Sequence, residues 1–279
     1  MIRSIFNFFL FSSLFISCCA VLMVLQTYQL LQPGYTNNAL LYFTFFSTVC
    51  SYNLHWYFSP VIDSEKIRSQ WTRRHRKLQG VLALLGAVGA IWFSFVLIDN
   101  LKWFLPAALL TFLYTAPKLP IPATGILKKI AVGKTIFLAF VWTYVTTALP
   151  LLVAGTPWTM PAVLFCLCRF FLIYAICILF DCRDREQDRK EGIRSFITFL
   201  SEKGIDRLFV TSFLLFVVST SLLLLYNLQA HTIILLLVPG LLAALLYKHA
   251  KKNHSDYLYY FILDGLMMFS SLLTLLFSI

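Results

Sequence analysis

The chain is short of charge, and of negative charge most of all. Only 13% of its 279 residues are charged, with 12 Asp or Glu against 23 Lys or Arg. Soluble domains average about 25% charged residues, so an ordinary water-soluble globular protein is excluded. Paired cysteines at C-x-x-C spacing are also missing. The seven, at 18, 19, 50, 166, 168, 177 and 182, fall mostly inside apolar runs and read as small buried residues, not as zinc ligands or a disulfide framework. No small-residue cleavage site follows the apolar N-terminal run, which therefore reads as a first membrane span. Long linkers, low-complexity tracts and short-period repeats are absent too, so the chain reads as one domain over residues 1–279.

What is abundant is apolar: 59% of residues are hydrophobic, and Phe alone contributes 27. Runs at roughly 5–25, 38–58, 79–98, 101–117, 131–153, 159–181, 207–227, 231–247 and 258–278 predict an all-α membrane protein of about nine transmembrane helices. The fourth is short and contains Pro106, which a membrane helix tolerates when neighbours re-satisfy its backbone. Polar loops are expected at roughly 59–78, 118–130 and 182–206, by the same hydropathy reading. With the N-terminus cytoplasmic, every Lys and Arg except Lys102 and Arg169 falls on the cytoplasmic face, and the C-terminus lies on the opposite side. The net charge of +11 then describes one face of a bilayer-embedded protein, attracted to anionic headgroups and not to nucleic acid.

One polar segment carries chemistry. Asp181, Asp184 and Asp188 follow a long apolar run at offsets of three and seven, which at 100° per residue puts them on one helical face. Oxygen donors in that pattern suit Mg²⁺, which binds through few carboxylates together with substrate phosphates. The interleaved Arg183, Arg185, Arg189, Lys190 and Arg194 favour an anionic, phosphorylated substrate at a membrane surface.

The block from Phe180 to Ser195 resembles the second aspartate-rich motif of the UbiA superfamily of intramembrane prenyltransferases, Asp-x-x-Asp-x-x-x-Asp followed by Gly and then Ser or Thr, here Gly192 and Ser195. A second patch, Tyr114-Thr115-Ala116-Pro117-Lys118 with Lys128, Lys129 and Gly133 after it, is similar to the family's Tyr-Ser-x-Pro-x-Arg/Lys segment following the fourth helix. The resemblance implies a UbiA-like bundle around a central cavity in a membrane, by family the bacterial inner membrane. It implies Mg²⁺-dependent transfer of a prenyl group from a prenyl diphosphate to an aromatic or other lipid-soluble acceptor. Asp181, Asp184 and Asp188 are then the catalytic metal ligands, and Asn53, Tyr114, Lys118 and Lys128 face the diphosphate.

The sequence also departs from the family. A first aspartate motif is expected at the end of the second helix, and the matching stretch is Asn53-Leu54-His55-Trp56-Tyr57-Phe58-Ser59-Pro60-Val61, with Leu54, Tyr57 and Val61 where carboxylates belong. Two readings follow. In one, the protein is a prenyltransferase in which Lys118, with Lys128 or Lys134, supplies the missing positive charge. In the other, it is a catalytically impaired protein of the same fold acting as a lipid-binding, scaffold or partner-dependent membrane protein. His55 reads either as a metal ligand or base or, beside Trp56 and Tyr57, as an interfacial anchor. Arg169 and Asp264 lie inside spans, where a charge needs a partner or a cavity, and read either as a mutual salt bridge or as catalytic groups. The run from Arg73 to Lys77 reads either as a diphosphate guide or as a topology signal.

Overall fold

The computed structural model describes residues 2–59, 66–115, 134–190 and 195–277, and every regular element among them is helical. In chain order these are α1 (Ile2–Phe11), α2 (Leu14–Leu31), α3 (Asn38–Phe58), α4 (Ile67–Arg74), α5 (Arg76–Val96) and α6 (Leu101–Thr115). Next comes α7, made of Lys134–Thr143, a π turn at Tyr144–Ala148 and Leu149–Val153. It is followed by α8 (Met160–Lys190), the short α9 (Phe196–Phe199), α10 (Glu202–Leu222) and α11 (Ala230–Ala250). The last, α12, opens with a π turn at Leu258–Leu263 and continues over Asp264–Leu276.

Seven helices are long and apolar enough to cross a membrane: α2, α5, α7, α8, α10, α11 and α12. Two more complete the expected set of about nine. Helix α3 has the length, with 21 residues, but carries Thr44, Thr48 and Asn53 on its buried face. Helix α6 has 15 residues and an internal Pro106, so at 1.5 Å per residue it covers about 23 Å of a hydrocarbon core of about 30 Å. The chain is an integral, multi-pass membrane protein.

The first span departs from expectation. The apolar run predicted as one helix over roughly 5–25 breaks at Ser12 and Ser13, where Ser13 takes a left-handed φ of 67°. Such a break frees carbonyls at the end of α1, and side chains from two other helices take them. Arg68 Nη1 donates to the Phe11 carbonyl at 2.8 Å, and Asn53 Nδ2 donates to the Ser12 carbonyl at 2.8 Å. The polar stretches expected as loops are also more ordered than their composition suggests. Within 59–78 lies α4 and the start of α5, and within 182–206 lie the end of α8, α9 and the start of α10.

Helix α8 is the axis of the bundle, with two-thirds of its apolar window buried. It packs on α10 and α7, while α2 bridges α3 and α12. Close approach decides two further contacts, α5 on α3 and α11 on α10. A Cβ at Gly86 of α5 would meet the backbone of α3 at 2.6 Å from Cys50 N and 2.8 Å from Phe46 O, and a Cβ at Gly240 of α11 would run into the Phe216 ring. The π turn of α7 has a local cause. Pro150 has no N–H to return to the carbonyl four residues earlier, and that carbonyl, Thr146 O, is taken by the Thr27 hydroxyl of α2 at 2.7 Å.

Candidate active site

Between α2, α3, α5, α6, α7, α8 and α12 lies a cavity of about 610 Å³, within the size range of small-molecule sites. Its depth is apolar, with Phe104, Leu105 and Phe112 from α6 and Leu138, Val141 and Val145 from α7. Its charged groups come from the ends of α3 and α8, from α4 and from the start of α12. These are the helix ends that adjoin the basic segments of the sequence.

Helix α8 positions two of the three predicted aspartates at this cavity. Asp181, 6% exposed, and the half-buried Asp184 both line it. The Thr135 hydroxyl at the start of α7 donates to Asp181 Oδ2, and Arg183 Nε donates to Asp184 Oδ1 at 2.9 Å. Asp188 is buried on the same helical face but does not line the cavity. At seven residues beyond Asp181 it stands about 10 Å farther along the axis. Among the described residues no three His, Cys, Asp or Glu side chains converge into a metal-holding group.

Asn53 is fully buried and absent from the cavity wall. Its amide nitrogen donates to the carbonyls of Ser12 and of Val49, at 2.8 and 2.9 Å, so it holds the α1–α2 break against α3. Its amide donors, expected to face a diphosphate, are spent on backbone in this structure. Tyr114 falls in the last turn of α6, while Lys118 and Lys128 lie outside the described residues. Lys134 opens α7.

His55 and Leu54 line the cavity, with Trp56 set edge-on to the His55 ring at 5.8 Å. Tyr57 turns away, its ring 3.3 Å from the position a Cβ would take on Gly80 of α5 and its carbonyl accepting from Arg76 Nε and Nη2. That bond gives Arg76, from the basic run, a structural task at the C-terminus of α3.

The Arg169–Asp264 salt bridge is not made. Arg169, 2% exposed, donates through Nη2 to Gln26 Oε1 at 2.7 Å and to Met23 O at 3.0 Å, and lies over the Phe165 ring. Gln26 in turn accepts from Ser270 and Ser271 and donates to Thr274, so this network ties α8 to α2 and α12. Asp264 instead opens on the cavity with Tyr260 and Met267, at the i, i+4, i+7 spacing of one helical face.

Two cations line the cavity: Arg68, which was not singled out from the sequence, and Arg183, one of the five interleaved basic residues expected to favour an anionic substrate. Arg68 is 3% exposed and sits in an aromatic cage, with its guanidinium carbon 4.2 Å from the Trp56 ring centre, 5.3 Å from Phe11 and 5.6 Å from Tyr260. Asp256 Oδ2 accepts its backbone N–H at 2.8 Å and so caps α4 from the foot of α12. Burial pushes the Arg68 guanidinium down to about 10, against the opposing fields of Tyr260, Asp256 and Asp264, which leaves it cationic at neutral pH. Arg183 lies 4.5 Å from the Tyr259 ring centre and 4.9 Å from that of Tyr260, and donates to the Tyr260 hydroxyl at 3.0 Å. In the sequence Arg68 belongs to a basic segment that a topology rule already explains, and only its burial singles it out.

No curated protein gives a significant match to the sequence. The UbiA prenyltransferase family matches residues 72–262, which begins beyond the Asn53–Val61 stretch that lacks carboxylates and takes in α5 to the first turns of α12. With more than half of the chain matched, and with Asp181 and Asp184 on the wall of a membrane-embedded cavity, this protein belongs to the UbiA prenyltransferase family.

Proposed function

We propose that this chain is an intramembrane prenyltransferase that moves the prenyl group of a prenyl diphosphate to an aromatic or other lipid-soluble acceptor. The observation that carries this reading is one cavity lined both by the carboxylates Asp181 and Asp184 and by a wall of apolar α6 and α7 side chains. A prenyl diphosphate has the same division between a charged head and an apolar tail.

Mg²⁺ is the metal the family implies, and the donor chemistry fits. Mg²⁺ bound with phosphate takes only one or two protein carboxylates, so the two cavity-lining aspartates suffice without a third. When bound there, the ion supplies positive charge to the departing diphosphate. The chain's own residues do the rest. Thr135 holds one orientation of Asp181, and Arg183 holds Asp184 while neutralising part of the local negative charge. The apolar depth excludes water from an allylic cation, and Phe104 and Phe112 offer it ring faces. The allylic C–O bond breaks with its electron pair leaving on diphosphate, the acceptor's nucleophilic atom bonds the allylic carbon, and the acceptor's displaced proton passes to the released diphosphate or to solvent. The concentration of basic segments on one side supports a cytoplasmic mouth for this cavity.

Magnesium-dependent binding of geranyl, farnesyl and longer prenyl diphosphates to detergent-purified protein tests the reading, with Asp181→Asn/Asp184→Asn as the control. Binding that needs both the metal and the aspartates supports it. A second reading, a lipid-binding or scaffold protein with an idle catalytic centre, is favoured by the missing carboxylates on the α3 wall, where Leu54 lines the cavity. Folded wild-type protein that binds no prenyl diphosphate of any length leaves that second reading standing.

A further inference from the structure

The α8 wall of the cavity carries carboxylates, whereas the wall made by α3 and α4 carries a guanidinium. A guanidinium has five N–H donors, and what holds Arg68 in place uses few of them. Nη1 donates to Phe11 O, while Nε and Nη2 have no hydrogen-bond partner among the described residues. Arg183 repeats the pattern, with Nη1 unmatched beside its bonds to Asp184 and Tyr260. Buried charged donors without acceptors are costly, and a structure that only needed to fill this volume would do better with an apolar side chain.

The two guanidiniums also converge. Both lie against the Tyr260 ring, at 5.6 and 4.9 Å, and both line the cavity. Asp256 takes the backbone N–H of Arg68 and not its side chain, and Asp264 reaches it only through its field. What fits the open Nε–Nη2 edge of Arg68, with the unmatched Nη1 of Arg183 beside it, at the charged end of an apolar cavity is a phosphate group on a lipid tail, because phosphate oxygens accept bidentate N–H pairs.

We infer that Arg68, with Arg183 beside it, is a metal-independent oxyanion site that grips the phosphate of a lipid-tailed phosphate ester in the cavity that Asp181 and Asp184 also line. Identifying that ester as a prenyl diphosphate rests on the function proposed above. An anionic phospholipid headgroup offers the same chemistry.

Titration calorimetry of the full-length protein in detergent separates the cases, using farnesyl diphosphate and phosphatidylglycerol as probes, each in excess EDTA and in Mg²⁺. Wild type is expected to bind farnesyl diphosphate in EDTA, and Arg68→Met to weaken that binding about 10- to 100-fold, the loss of one to two charge-assisted hydrogen bonds. Arg68→Lys keeps the charge and loses the fork, and is expected to fall between the two. Because Arg68 also holds the Phe11 carbonyl, the melting temperature of each variant is measured alongside, and if the Met variant does not fold the Lys variant decides. Unchanged affinity in a folded Arg68 variant, or no binding of either probe to wild type in EDTA, overturns the inference. Arg68-dependent binding of phosphatidylglycerol alone upholds the oxyanion site while removing the prenyl diphosphate reading. Farnesyl diphosphate binding that depends on Mg²⁺, Asp181 and Asp184 but not on Arg68 does the reverse.

Discussion

The two charged walls of the cavity are built from opposite principles. On α8, Asp181 and Asp184 project from consecutive turns of one continuous helix, and their relation to each other is set by 3.6 residues per turn. On the other wall, Arg68 comes from the short α4, beyond the end of α3, and is held by Phe11 of α1, Trp56 of α3, and Asp256 and Tyr260 around the start of α12. One wall is a local motif that any helix-forming segment with that spacing would present. The other exists only because four separate parts of the chain meet. On the proposed function, such a site would divide the neutralisation of a diphosphate between an ion recruited by the carboxylates and the resident guanidinium.

The most severe break to this comparison is on the α8 side. Asp181→Asn/Asp184→Asn is expected to lower Mg²⁺-dependent transfer from farnesyl diphosphate by at least ~100-fold, the scale seen when groups that stabilise transition-state charge are removed. Release of diphosphate per protein at saturating Mg²⁺ measures it, and a loss under ~3-fold would mean the α8 wall is not the centre of the chemistry.

The next tests whether the α3 wall works by being free of carboxylate. Leu54 lines the same cavity as Arg68, while Tyr57 faces α5. Leu54→Asp should therefore neutralise the resident cation and weaken farnesyl diphosphate binding in EDTA by about 10-fold. Tyr57→Asp should leave that affinity unchanged and lower only the melting temperature. Equal effects of the two substitutions would dissolve the distinction between cavity-facing and α5-facing positions.

A smaller effect is expected at Thr135, which acts on substrate only through Asp181. Thr135→Val keeps the volume and removes the hydroxyl, costing about 1 kcal/mol of carboxylate orientation, roughly a 5-fold loss in kcat with KM little changed. A KM effect larger than the kcat effect would show direct contact with substrate.

Smallest for function is Arg169, the buried cation that does not line the cavity. Arg169→Met should leave farnesyl diphosphate affinity unchanged to within ~2-fold, since its bonds go to Gln26 and Met23. Its cost should appear in thermal stability alone, because Gln26 loses a charged donor.

Much of the bundle was legible because membrane insertion is a local matter. An apolar stretch of about 20 residues spans wherever it stands in the chain, and α3, α5, α7, α8, α11 and α12 start or end close to their hydropathy limits, while α10 stands about one turn earlier than its run. The division of the first run into α1 and α2 was not, because Ser12 and Ser13 are uncharged and interrupt hydropathy only slightly. What breaks the helix is the pair of caps from Asn53 and Arg68, which are remote in sequence. Asp188 was read correctly as sharing a face with Asp181 and Asp184, but angular position says nothing of where along the helix the cavity stops.

By itself the sequence determined that this is a multi-pass membrane protein and that Asp181, Asp184 and Asp188 share a helical face, since each follows from composition or from a spacing of a few residues. Only the tertiary structure decided that Asn53 would hold a broken helix, that Arg169 and Asp264 would stand apart, and that Arg68 would enter a cage of rings at the cavity wall. The physical reason is that a buried polar side chain takes whatever partner packing brings within about 3 Å, and which residues come that close depends on how distant helices meet.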